Sequence, residues 1–253
     1  MKEFIYSRNA VYETLRAGRR QIFRLQIAQG IKETGRINEI LHMAKERKIP
    51  IVSAARSALD RIHPQHQGIT LEASGYPYCN LLDVIDLAEE RSEPLFVLLL
   101  DTLNDPQNFG SLLRTAEAIG VHGVIIPRAR TVQVTPAVVN ASSGAAEHLL
   151  VVQSNLSQAI SQLKEAGAWI VGLEGKHPDA QFPDQLRLDG AIGLVVGSEG
   201  EGMRALTLKS CDLLMKLPMV GKIESLNAAV AGSVALYLAY LARISDQSGR
   251  PNI

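Results

Sequence analysis

The 253-residue sequence predicts an α/β protein, a parallel sheet with helices on both faces preceded by a small α/β/α unit. Three observations predict it. From Pro94 onward, short continuous apolar runs recur, as they do in strands buried on both faces of a parallel sheet. Helical patterns lie between these runs, and strand–helix alternation is the mark of a parallel sheet. Ahead of them, residues 1–75 carry shorter elements and a different charge: 13 Lys+Arg against 7 Asp+Glu, a net +6, with the remaining chain at −6.

In chain order, residues 7–17 (SRNAVYETLRA) put Ala10, Val11, Thr14 and Leu15 on one helical face before the breaker Gly18. Residues 22–28 (IFRLQIA) alternate as a half-buried strand does. Residues 34–48 form a helix with Ile37, Ile40, Leu41 and Ala44 as its apolar stripe, 49–52 a short strand led by Pro50, and 55–62 a short helix. A loop, HPQHQG, and a strand over 69–73 complete a first domain of residues 1–75. Residues 76–93 read as a linker that includes a helical segment, and 94–253 as the second domain. Its strands are expected at 94–101 (PLFVLLLD), 121–126, 149–152, 169–173, 191–196 and 213–217, and its helices at 110–119, 136–145, 156–166, 203–209 and 225–243. Residues 245–253 are a polar tail.

Composition narrows the function. Hydrophobic content of 46% with 21% charged residues describes a globular protein with a substantial core. The two cysteines, Cys79 and Cys211, lack metal-ligand spacing and imply a reducing, cytoplasmic compartment, not a disulfide framework. The six histidines show no HxxxH or HExxH spacing, so no metal is expected. The start has no signal-peptide core. The most apolar stretch, 226–242, is shorter than a bilayer needs (about 20 residues) and reads as a buried helix, so no membrane partner is expected. The basic first domain suggests contact with a polyanion. Neither GxGxxG after the first strand nor GxxxxGK[ST] occurs, which argues against a dinucleotide or nucleoside triphosphate site.

Three segments carry the chemistry. D-T-L-N-D-P-Q-N-F-G-S-L-L-R-T-A (101–116) follows the first strand of the larger sheet. There Asp105-Pro106 makes a turn, Asn108 is a loop side chain, Gly110 opens the helix and Arg114 lies one turn into it. VVGSEGEGM (195–203) and LPMVGKIESLNAAVA (217–231) each leave an apolar run for a loop dense in small residues. Such loops place backbone polar groups at strand carboxyl ends, where open α/β sheets bind ligands. Ser225 stands where an N-cap for the last helix belongs.

In order and spacing these segments closely resemble the three motifs of the SpoU/TrmH family, S-adenosylmethionine-dependent RNA ribose 2′-O-methyltransferases of the SPOUT class. YSRNAVYETL near the start and HQGI (66–69) resemble the N-terminal substrate-binding domain of the branch that methylates a guanosine of large-subunit (23S) ribosomal RNA, a domain similar to the ribosomal-protein L30e fold. Ser7, where a glycine often stands, and Glu224 depart from the pattern. The resemblance implies a C-terminal trefoil knot around the cofactor, an RNA substrate and a homodimer. The stripe Ala228, Ala231, Ala235 and Ala239 would suit close packing of the last helix against a partner copy or, equally, within the chain.

The resemblance assigns catalysis to Arg114, Asn108, Glu199, Ser225 and Asn227. It assigns cofactor binding to Gly197, Ser198, Gly200, Leu217, Met219, Ser225, Leu226 and Asn227, which would enclose S-adenosylmethionine through backbone amides and apolar contact. Methyl transfer to a ribose hydroxyl needs two reactants held in line, and its weak nucleophile needs proton acceptance or alkoxide stabilisation. Two roles are open to Arg114. Its high pKa favours phosphate binding and oxyanion stabilisation over acting as base. Asn108 would orient Arg114 or the ribose, and Glu199 would hold the substrate or position Arg114. Other readings are the same chemistry on transfer RNA or on a ribosomal adenosine, as in antibiotic resistance, and a non-catalytic RNA-binding protein of ribosome assembly.

Overall fold

The computed structural model describes residues 2–198, 200 and 202–247. The chain forms two compact units, one of residues 1–77 with 133–148 and one of residues 78–132 with 149–253. The units therefore do not follow the simple cuts at 75 and 94 that the sequence suggested.

The first unit begins β1 (Lys2–Tyr6), α1 (Arg8–Ala17), β2 (Ile22–Ala28), α2 (Arg36–Glu46), β3 (Ile51–Ala54), α3 (Arg56–Asp60) and β4 (Ile69–Ser74). The sheet order is β1-β4-β2-β3. β4 runs antiparallel to both β1 and β2, and β2 runs parallel to β3. The carboxyl ends of β1, β2 and β3 therefore share one edge with the start of β4. α1 buries Ala10, Val11, Thr14 and Leu15, and α2 buries Ile37, Ile40, Leu41 and Ala44. These are the stripes read from helical spacing.

The second unit carries α4 (Leu81–Glu90), β5 (Phe96–Leu100), α5 (Pro106–Ala118) and β6 (Gly123–Pro127). α6 (Pro136–Ala141) follows in the chain, then β7 (Val151–Ser154), α7 (Leu156–Glu165), β8 (Trp169–Leu173), β9 (Ile192–Val196), α8 (Ala205–Ser210), β10 (Leu213–Met215) and α9 (Ala228–Gln247). Six strands form one sheet, β10-β8-β9-β5-β6-β7, and every neighbouring pair is parallel. β5, β6 and β9 are buried along their whole length, which is why their sequences read as unbroken apolar runs. Each Leu, Ile or Val so buried stabilises the fold by about 1.5–3 kcal/mol.

Several expected elements shift. Residues 76–93, read as a linker with a helical segment, do carry that helix as α4, but its Leu81, Val84 and Ala88 pack in the same core as Val97, Leu99 and Ile125. The helix expected over 136–145 is the shorter α6 followed by a 3-10 turn, Ala145–His148, and both belong to the first unit. There Glu147 is fully buried, accepting from Arg20 Nε at 3.0 Å and Nη2 at 2.8 Å. Arg20 Nη1 also donates to Glu3 at 2.7 Å, and the Tyr76 hydroxyl donates to the Ala146 carbonyl at 2.8 Å.

α9 is neither a wholly buried helix nor too short to span a bilayer by length and composition, since an 18-residue window within it passes that test. One face packs inward. Ala228, Ala235 and Ala239 are buried and Gly232 sits against Leu112 of α5 and Val196 of β9, so the alanine stripe serves packing within the chain. The opposite face exposes Val230, Val234, Tyr237, Leu241 and Ile244.

Candidate active site

The carboxyl ends of β5, β8, β9 and β10 lie along one edge of the larger sheet, and the loops leaving them build the candidate site. Asp101, the residue after β5, is fully buried and has its backbone N–H on the Val196 carbonyl of neighbouring β9. Its carboxylate accepts from the Arg204 backbone N–H at 2.9 Å and from Arg204 Nε at 2.6 Å. That charge-assisted pair ties the loop after β9 to the loop after β5. Neither Asp101 nor Arg204 stands out as a site residue in the sequence. A single carboxylate ending a six-residue apolar run, residues 95–100, is the available signal.

The loop after β9 turns back on itself. Ser198 N–H donates to the Gly202 carbonyl at 3.0 Å, and Gly202 N–H returns to Ser198 at 3.2 Å. A Cβ on Gly197 would stand 2.4 Å from the Gly202 carbonyl carbon and 2.5 Å from Met203 N, so only glycine permits this approach. Glu199, expected to hold the substrate or position Arg114, lies outside the described residues.

α5 starts earlier than the sequence suggested. Asp105 caps it, accepting from the Gln107 and Asn108 backbone N–H groups at 3.1 Å each, and Pro106 takes the first helical position. Asn108 is therefore in the first helical turn, not a loop, and Gly110 does not open the helix. Asn227, not Ser225, caps α9: its Oδ1 accepts from Ala229 N–H at 3.0 Å and Val230 N–H at 3.1 Å. The α9 start consequently moves from the expected residue 225 to Ala228. The same Asn227 amide donates through Nδ2 to Asn108 Oδ1 at 3.1 Å. Two candidate residues 119 positions apart thus meet where α5 and α9 begin. Farther along, Thr115 Oγ1 and Ser233 Oγ lie 2.9 Å apart and hold the helices together.

A cavity of about 440 Å³ opens beside this junction. Gly197, Ser198, Gly200, Leu217, Met219, Ser225, Leu226 and Asn227 all line it. So do Leu173, Glu174, Gly175 and Lys176 from the end of β8, together with Val196, Gly202, Glu224, Ala228 and Ala231. The β8 loop had no motif to mark it in the sequence. Lys176 Nζ lies 2.8 Å from Glu224 Oε2 across the cavity rim. Their hydrogen bond, with its charge attraction, holds the Glu224 carboxyl below the usual carboxylate range and the Lys176 ammonium above its usual value. Both groups are solvent-exposed, so the pair adds little stability.

Arg114 is exposed on α5 and is not among the residues lining the cavity. Six residues beyond Asn108, it projects about 120° around the helix from it. Cys211 is not part of this site. Burial pushes its thiol up to about 12, which leaves it protonated and unreactive at neutral pH.

Comparison with known proteins bears on this geometry. Residues 95–237 match the SpoU rRNA Methylase family, and residues 4–79 match the RNA 2′-O ribose methyltransferase substrate binding family. A Bacillus subtilis (strain 168) protein classed with the TrmH family tRNA/rRNA methyltransferases, YacO, is 40% identical over 95% of this chain and 96% of its own length. The SpoU methyltransferase AviRb from Streptomyces viridochromogenes has a crystal structure that superposes with a TM-score of 0.80 at 23% identity, covering 98% of this chain and 91% of that one. Its complex with the cofactor AdoMet superposes at 0.77, with 23% identity over 96% and 91% of the two chains.

Proposed function

This chain belongs to the SpoU methylase family of S-adenosylmethionine-dependent RNA methyltransferases, and we propose that it methylates a ribose 2′-hydroxyl, at a guanosine of large-subunit ribosomal RNA. One observation carries the reading. Loops from β8, β9 and β10 enclose a single cavity at the strand carboxyl ends, and it abuts the Asn108–Asn227 pair.

The residues present suit the cofactor. The cavity falls within the range of small-molecule sites, about 300–1,000 Å³. Leu173, Val196, Leu217, Met219 and Leu226 offer apolar contact, the loop after β9 offers backbone polar groups, and Glu174, beside the paired Lys176 and Glu224, supplies negative charge suited to a sulfonium. S-adenosylmethionine bound there supplies an electrophilic methyl group. The remaining work falls to the chain. The acceptor 2′-hydroxyl would give up its proton to solvent or to an oxygen of the adjoining phosphate. Asn108 and Asn227 present amides that orient the ribose. Arg114 binds the adjoining phosphate and stabilises developing charge on the 2′-oxygen, and the family resemblance gives Glu199 and Ser225 supporting roles toward the substrate.

The path of the chain supports the knot that the family resemblance implies. After β10, at one edge of the sheet, residues 216–227 return to the middle, where α9 packs on α5 and β9. The apolar face of α9, with Val230, Val234, Tyr237, Leu241 and Ile244 spaced by three and four residues, supports a homodimer. Cys79 and Cys211, neither in a disulfide, suit the cytoplasm.

The deciding experiment maps 2′-O-methyl groups on ribosomal and transfer RNA from cells with and without this protein. A single ribosomal guanosine should lose its methyl group. Loss at a transfer RNA position, or no loss at all, would refute the assignment.

A further inference from the structure

The two N-terminal motifs, YSRNAVYETL and HQGI, have no part in the cavity described above. The structure brings them together elsewhere. At the edge where β1, β2 and β3 end and β4 begins, a second cavity, of about 470 Å³, is lined by Arg8, Ala28, Gln29, Gly30, Ile31, Arg56, Gln67 and Gly68. Arg8 follows β1, residues 29–31 follow β2, Arg56 follows β3, and Gln67 and Gly68 lead into β4. Strand carboxyl ends in α/β sheets are where ligands bind.

The walls are fixed by contacts that the sheet itself does not need. His66 is buried; its Nδ1 accepts from Gly68 N–H at 2.8 Å and its Nε2 lies 3.0 Å from Asp60 Oδ1. This holds Gln67 and Gly68 at φ 54° and 85°, and a Cβ on Gly68 would stand 2.4 Å from Ile31 Cδ1. Arg8 is held in turn, its backbone N–H on Gln67 Oε1 at 3.0 Å and its Nε on the Gln67 carbonyl at 3.3 Å. Arg56 is exposed and makes no ion pair or hydrogen bond among the described residues. The result is a polar cavity with two guanidinium groups and no carboxylate in its lining. A guanidinium fork matches phosphate geometry.

We propose that this cavity binds one nucleotide unit of the RNA substrate. Arg8 and Arg56 engage its phosphodiester, and the Gln29 and Gln67 amides contact its sugar or base. The proposal rests on the RNA-methyltransferase reading above for its choice of polyanion. At about 470 Å³ the cavity has room for more than a lone phosphate.

Filter binding with the full chain and a radiolabelled transcript of large-subunit ribosomal RNA tests it, across salt concentrations. Arg56→Ala and Arg8→Ala should each weaken binding about tenfold and lower the log–log salt slope by about one, the mark of one lost phosphate contact. Lys45→Ala, which removes an exposed charge on α2 of the same unit, should change affinity less than twofold. Because Arg8 also braces Gln67, Arg56→Ala carries the decision if Arg8→Ala folds poorly. Wild-type affinity in Arg56→Ala would overturn the proposal, as would an equal loss in Lys45→Ala, which would mean diffuse attraction. Uridine monophosphate that displaced the RNA at micromolar concentration would assign the cavity to a free nucleotide and overturn it too. S-adenosylmethionine affinity should hold in every variant. A wild-type protein that binds RNA but transfers no methyl group would refute the proposed reaction and leave these binding comparisons readable.

Discussion

Asn227 uses one amide twice, as helix cap through Oδ1 and as donor to Asn108 through Nδ2, and substitution can separate the two uses. Asn227→Ala removes both and should cost about 1 kcal/mol of stability, the usual value of a lost N-cap, with loss of methyl transfer. Asn227→Asp keeps the cap acceptor but sets a carboxylate against Asn108 Oδ1. It should melt near the wild-type temperature while transferring methyl groups at least tenfold more slowly; normal turnover by this variant would show that the pair only caps. Arg114→Lys keeps the charge and loses the planar fork. A fall in turnover of about 100-fold at saturating RNA and cofactor is expected, the size of one lost donor at a developing oxyanion, and near-normal turnover would leave Arg114 a plain phosphate anchor. At this scale the sequence was legible where a motif concentrated small residues, as in GSEGEG. It was illegible where partners meet only in space. Lys176 pairs with Glu224 across 48 positions and Asp101 with Arg204 across 103, and no local pattern announces either.

Among the elements, α5 shows how a boundary is misread. Asp105 and Pro106 are a cap and a first-turn residue, yet Gly110, four residues past the first turn's start, drew the boundary forward although it sits buried inside the helix. α9 shows the opposite limit, because helical spacing marked its alanine stripe but could not say which side of the helix meets the rest of the chain. For the homodimer proposed above, Tyr237→Asp on its exposed face should give a monomer by light scattering, and an unchanged mass would rule that face out as the interface. The turn into β6 carries a pH-dependent contact. His122 is buried, its Nδ1 accepts from Phe96 N–H at 3.0 Å, and its Nε2 lies 3.0 Å from Glu93 Oε2. Burial pushes its pKa below the ordinary 6.5, against the opposing pull of Glu93. The folded state therefore binds this proton less readily than the unfolded chain. Its contribution is complete above pH 6.5 and declines as pH falls from there toward the lower folded value. Urea midpoints for wild type and His122→Asn should thus converge as pH drops from 7 to 5; parallel curves would rule His122 out as the titrating group.

At the scale of the whole molecule, alternation and apolar runs foretold the six-stranded parallel sheet, because strands buried on both faces declare themselves in composition. The division of the chain was not legible, because residues 133–148 sit between β6 and β7 in sequence and fold with the first unit. Val138, Val139 and Ala146 look like any core residues, and only the buried partner of Glu147 tells where they go. Glu147→Ala would leave the buried Arg20 charge with Glu3 as its remaining carboxylate and should destabilise by about 3–5 kcal/mol, read by denaturant unfolding. Deleting residues 1–75 is for the same reason a poor test of RNA binding, since it leaves the apolar side chains of 133–148 without their cover.

That pairing also sets a clock on biosynthesis. Arg20 leaves the ribosome 127 residues ahead of Glu147, which at about 5–20 residues per second is an interval of roughly 6–25 s. Throughout it the nascent first unit has strands, helices and the Glu3 partner of Arg20, but not the fully buried carboxylate that engages the guanidinium through Nε and Nη2. β5 and β6 emerge during the wait, so the larger sheet starts to form before the smaller unit can close. A ribosome stalled with 132 residues exposed should hold a protease-sensitive N-terminal unit, and one stalled with 150 exposed a resistant one.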